Sequence, residues 1–117
     1  LICFKLSQDE RAMTLLEEAI SIYKEDQDNT SAHYSAALAG MGEALFRQGR
    51  FLEALEAYET SLTEVEKHFG KNASYALLCD NCASVCAKLG LMEKQKAFEQ
   101  TAGEVRDSLQ ISDRREA

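Results

Sequence analysis

What most constrains this chain is a spacing. Three short turn signals, Ser7-Gln8-Asp9, Gln48-Gly49-Arg50 and Leu89-Gly90-Leu91, divide it at near-equal intervals: 42 residues from Ser7 to Gly49 and 41 from Gly49 to Gly90. A near-constant period in this range belongs to helical repeats, in which each unit is a pair of antiparallel helices that buries its apolar face only against its neighbours. Between the turns, apolar residues recur every three or four positions. Leu38, Met41, Gly42 and Leu45 share one face of a helix predicted from about Thr30 to Gln48, which Gly49 can end in the left-handed conformation at little cost. A second helix, about Phe51 to Phe69, carries Phe51, Ala54, Leu55, Tyr58, Leu62 and Val65 and closes at Gly70.

The flanking segments repeat this pattern one period away. Upstream, Ala12, Leu16 and Ala19 stand where Ala54, Tyr58 and Ser61 stand, on a helix of about Gln8 to Lys24. Downstream, Cys79, Cys82, Ala83 and Cys86 take the places of Leu38, Met41, Gly42 and Leu45. A last helix, about Met92 to Gln110, keeps a stripe of Leu91, Phe98, Ala102, Val105 and Leu109 but loses the small residues, as a capping or departing helix would. The expected organisation is the end of one helix followed by five more. Composition agrees: there is no proline, and the residues that lose least on entering a helix predominate, so the fold class is all-α.

The stretch Leu38-x2-Met41-Gly42-x2-Leu45, then Gln48-Gly49-Arg50-Phe51, then Ala54-x3-Tyr58-x2-Ser61, resembles the tetratricopeptide repeat signature. It departs from it with Leu38 for the usual Trp, Leu45 for the usual Tyr and Glu66 where a Pro often stands. The period exceeds the roughly 34 residues of the common repeat, and His68-Phe69-Gly70-Lys71-Asn72 leading into Asp80-Asn81-Cys82-Ala83 is similar to the longer, 42-residue repeats of the kinesin light chain type. The resemblance implies an α-α superhelix of about 2.5 to 3 repeats. One domain would span 1–112, with a truncated first repeat at 1–27, a second at 28–69 and a third at 70–112, followed by a flexible tail at 113–117. Opening on Leu1 rather than Met, the chain is expected to be a piece of a longer one.

A net charge of −7 argues against nucleic acid or an anionic membrane surface as partner, because both attract a basic patch that this sequence lacks. No apolar run approaches the roughly 18 residues of a membrane span, and no signal peptide is visible. Four cysteines without the spacing of a secreted disulfide scaffold point to a reducing, cytoplasmic compartment. Cys79-x2-Cys82-x3-Cys86 has two readings. As a metal or cluster site it lacks the second group of ligands such sites recruit; as three small residues on the buried face it is already explained by the repeat alignment, and Cys3 follows the register of Cys86. His33 and His68 lie at helix ends without a nucleophile, base or ligand partner at motif spacing, and the carboxylates alternate with apolar residues as on a solvated face. No enzyme activity, cofactor or metal is expected.

The other face of each repeat's first helix carries the functional expectation. At 100° per residue, Ala36, Ala39, Gly40, Glu43, Phe46 and Arg47 point away from the core, and downstream their counterparts are Leu77, Asp80, Asn81, Ser84, Ala87 and Lys88. In tetratricopeptide arrays this face lines the concave groove. The resemblance implies that Asn81 matches an asparagine that bonds the backbone of an extended peptide, although Gly40 stands at the same place one repeat earlier. Ala39 and Glu43 do not match the clamp of chaperone-binding members. Ala36, Ala39 and Ala87 are expected to pack against a neighbouring helix. Glu43, Phe46, Arg47, Leu77, Asp80, Asn81, Ser84 and Lys88 are expected to line a groove for a protein or peptide partner, with apolar contact from Phe46 and Leu77 and with cations favouring acidic residues beside an apolar anchor. The alternative is self-association through Leu1, Ile2, Phe4 and Leu6 on the truncated first helix.

Overall fold

In the computed structural model, secondary structure is described for residues 2–25 and 31–116, and side chains for 10–24 and 32–110. Five helices and no strand occur among the described residues: α1 (Ile2–Glu25), α2 (Ser31–Arg47), α3 (Phe51–Phe69), α4 (Ala73–Leu89) and α5 (Met92–Glu116). The middle helices begin and end within a residue or two of where the apolar period and its glycines put them.

The turns show why. Gly49 and Gly90 take φ of 76° and 73°, a region that costs other residues strain. After α2, the Arg50 N–H donates to the Leu45 carbonyl at 2.9 Å and the Gly49 N–H to the Phe46 carbonyl at 3.0 Å. After α4, the Leu91 N–H donates to Cys86 at 2.9 Å and the Gly90 N–H to Ala87 at 3.3 Å. The same pair of bonds, which satisfies carbonyls orphaned at a helix end, thus recurs 41 residues on. At Gly70 (φ 77°) the chain turns again, and the Asn72 side chain caps α4 by accepting the Tyr75 N–H at 2.9 Å.

The first expected turn is absent. Ser7-Gln8-Asp9 lies inside α1, which runs unbroken from Ile2 to Glu25. None of these three residues is a glycine, so nothing there offers the left-handed step, and serine, glutamine and aspartate are all tolerated in a helix. The predicted helix end and the helix from Gln8 are therefore one element. At the other end, α5 is helical as far as Glu116, through most of the segment 113–117 expected to be a flexible tail.

Each helix packs on its neighbours in sequence, and α2 and α4 make no extended contact with each other. α2 and α3 are antiparallel: Phe46, near the end of α2, meets Phe51, the first residue of α3, while Ser61 in the second half of α3 donates to the Ser35 carbonyl at 2.7 Å. The core of this hairpin contains Leu45, Ala54, Leu55, Tyr58 and Val65, and it continues through Tyr75, Leu78, Cys79, Cys82, Val85 and Cys86 of α4 to Ala102 and Val105 of α5. A side chain such as Leu45 or Val85 stabilises the fold by about 2 kcal/mol on full burial. Small residues let the helices approach. Gly42 lies so close to Tyr58 that a Cβ there would stand 2.9 Å from three ring atoms.

Candidate functional site: a cleft between the second and fourth helices

Because α2 and α4 diverge while both pack on α3, a cleft of about 390 Å³ opens between them. Ala32, Ser35, Ala36 and Ala39 of α2 form one wall; Ser74, Leu77, Leu78 and Asn81 of α4 form the other; Ser61, Val65 and Phe69 of α3 lie at its base and end, beside Asn72. None of these lining residues is charged, in a chain of which 28% is. Two large apolar side chains in it face water: Leu77 is 58% exposed and Phe69 50%. Alanines on the α2 wall leave the space open, and the bond between Ser61 and Ser35 closes its floor without leaving a buried polar atom unpaired.

Of the expected groove residues, Leu77 and Asn81 line this cleft. The others are distributed around it. Phe46 is half-buried against the core, its ring edge-on to Phe51 at 5.3 Å, at the α2–α3 turn and outside the lining of this cleft. Arg47 is exposed and donates to Glu43 at 2.6 Å, one helical turn away, and Asp80 accepts from Arg106 of α5. Ser84 and Lys88 are exposed further along α4, and Lys88 makes no ion pair among the described residues. Ala36 and Ala39, expected to pack against a neighbouring helix, line the open wall, Ala36 exposed and Ala39 partly buried against the core; Ala87 is likewise exposed on α4. The physical reason is the separation of α2 and α4, which no periodicity encodes. Sequence reasoning missed Phe69, Val65 and Ser61 as cleft residues because they belong to the second helix of the hairpin, whose apolar stripe was assigned wholly to the core.

The cysteines are core. Cys79, Cys82 and Cys86 are free and buried. Burial pushes the Cys82 thiol from 9.0 up to about 12, with the Glu59 carboxylate adding to it, and burial likewise raises Cys79 and Cys86. A protonated, dry thiol is neither a nucleophile nor a metal ligand. Among the described residues no group of three or more His, Cys, Asp or Glu is placed to hold a metal ion. Burial, and then the Glu43 carboxylate, raise the Tyr58 phenol above its ordinary value, so it too stays neutral. The side chains of Cys3 and of Leu1, Ile2, Phe4 and Leu6 lie outside the described residues. A more open furrow of about 500 Å³ follows α3 alone, over Leu52, Glu56, Glu59 and Thr63; it has no second wall among the described residues.

Among the described residues, no helix is long and apolar enough to cross a membrane. No protein-family model matches the chain, and no curated protein matches it.

Proposed function

We propose that this chain is a tetratricopeptide-like helical repeat module that binds a segment of another protein, and that the segment enters the cleft between α2 and α4. The observation that carries the reading is the cleft's composition: uncharged walls, with Leu77 and Phe69 exposed into a space of about 390 Å³. Exposed apolar surface gathered in a concavity is costly to leave in water and is gained back when an apolar group displaces that water. Small residues on the α2 wall and the amide and hydroxyl groups of Asn81 and Ser74 on the α4 wall suit a backbone lying between the helices. The recurrence of the same glycine turn 41 residues apart supports the repeat architecture.

The partner's anchor is apolar. Its charge preference follows from what surrounds the cleft: Arg47 is held by Glu43 and Asp80 by Arg106, which leaves Lys88, seven residues beyond Asn81 on the same face of α4, to receive an acidic residue beside the anchor. The test is selection of short peptides from a random display library on the immobilised chain, followed by binding to Ala36→Glu, Leu77→Glu and Lys88→Glu variants. The reading expects enriched peptides with an aliphatic or aromatic anchor that lose binding to the first two variants, and whose acidic flank loses its advantage on the third. Peptides that bind all three variants as they bind the wild type would sink it.

A further inference from the structure

The floor of the cleft carries a polar pair that the same fold positions do without elsewhere in the chain. Ser61 of α3 is fully buried, and its hydroxyl donates to the Ser35 carbonyl of α2 at 2.7 Å. The Ser35 hydroxyl donates in turn to the Ala32 carbonyl within α2 at 3.1 Å. One period on, in the hairpin of α4 and α5, the corresponding residues are Ala76 and Ala102, 0% and 1% exposed. One period earlier, Ala19 takes the place of Ser61. Packing at these positions therefore asks only for a small residue, and alanine is the better helix former. Serine stands where the flanking helix α4 opens a cleft above the hairpin; alanine stands in the α4–α5 hairpin, which no further helix flanks among the described residues.

We infer that Ser61 is a positioning residue for the cleft: its hydrogen bond fixes where along α3 the α2 wall stands, and so holds Ala32, Ala36 and Ala39 opposite Ser74, Leu77 and Asn81. This rests on the cleft being the binding site. The two walls make no extended contact with each other, so their spacing is transmitted through α3, on which both pack. Apolar contact along the α2–α3 crossing is non-directional and resists sliding weakly. The approach of Gly42 to Tyr58, seven residues further along α2, limits how near the two helices come. A hydrogen bond weakens steeply once its length and angle leave a narrow range, so it stops the sliding that those contacts permit. To the fold as such the bond adds little. Without it the Ser35 carbonyl keeps the bond it accepts within α2, and no buried acceptor is orphaned. Being fully buried, Ser61 acts through the wall and touches no occupant of the cleft.

The experiment compares Ser61→Ala with Ser35→Ala in the whole chain, at a temperature where circular dichroism shows both fully folded. Ser35→Ala removes a hydroxyl from the same floor but keeps the carbonyl that Ser61 bonds. One readout is affinity for a peptide selected on the wild-type chain. The other is the distance between spin labels on Ala32→Cys and Ser74→Cys, one on each wall, with Cys3 replaced by serine; the three buried cysteines take no label. Ser61→Ala should weaken the peptide roughly 2- to 12-fold, the net contribution of one hydrogen bond expressed as a factor, and should broaden the distance distribution. Ser35→Ala should leave both as in the wild type. A bond that only stabilised the fold would lower the unfolding midpoint and move neither. An unchanged distribution or an unchanged affinity in Ser61→Ala, or a Ser35→Ala variant that behaves like it, would each overturn the inference. If the wild-type chain selects no peptide, the binding reading fails, and the distance distribution still decides whether Ser61 sets the walls.

Discussion

The approach of Gly42 to Tyr58 makes a quantitative prediction, because two opposing effects of one methyl group can be separated with glycines of the same chain. Replacing a glycine in a helix by alanine stabilises by about 0.8–1 kcal/mol through helix propensity alone. At Gly103, inside α5, nothing lies within 4 Å of the new Cβ, so Gly103→Ala should deliver that gain in full. At Gly40 the Cβ would stand 3.3 Å from Leu16 Cδ2, the end of a half-buried side chain that can give way, and the change should be near neutral. At Gly42 it would stand 2.9 Å from Cδ1, Cε1 and Cγ of Tyr58, a buried ring with core on its other side. Overpacking of this kind costs typically 1–3 kcal/mol, so after the propensity gain the net effect of Gly42→Ala should be a loss of up to about 2 kcal/mol. Urea unfolding followed by circular dichroism reads all three. The order of midpoints should be Gly103→Ala above wild type, Gly40→Ala beside it and Gly42→Ala below. If Gly42→Ala stabilised as much as Gly103→Ala, the close crossing of α2 and α3 would be wrong, and with it the reading of Gly42 as a packing residue.

The thiols predict a pH dependence. Cys82 holds its proton in the fold up to about pH 12, whereas the unfolded thiol loses it near 9.0, so between these values the folded state binds more protons and stability must fall as pH rises; the Cys82→Ala variant should show a shallower fall in thermal midpoint over that window. Ser61→Ala removes the buried bond to the Ser35 carbonyl, which keeps its partner within α2, for an expected loss of about 0.5–1.5 kcal/mol by urea unfolding. Asn72→Ala removes the cap of α4 and should cost about 1 kcal/mol, while Asn72→Ser should recover most of it.

The helices were legible wherever the sequence supplied both a period and a stop. Gly49 and Gly90 end α2 and α4 with matching hydrogen bonds, and the apolar stripes of α3 and α4 predicted the buried faces down to Cys79, Cys82 and Cys86. At Ser7-Gln8-Asp9 only the period was present, and α1 continues through it. The cleft was legible in part. A face can be read from 100° rotations, which pointed to Leu77 and Asn81, but the distance between two helices that are not neighbours in sequence is set by the side chains of the helix beneath both. That is why Ala36 and Ala39 stand in an open wall and Phe46 turns toward Phe51. Charge on a face was equally incomplete information: Arg47 and Asp80 were visible as charges, their partners Glu43 and Arg106 only as geometry.

The proposed function requires a bound segment to lie in the cleft between α2 and α4. Chemical-shift mapping of the isotope-labelled chain, titrated with a peptide selected on it, tests this residue by residue. Shifts concentrated at Ala36, Ala39, Phe69, Leu77 and Asn81 are the predicted result. Shifts confined to α5 or to the α3 furrow around Glu56 and Thr63, with the cleft residues unmoved, would contradict it.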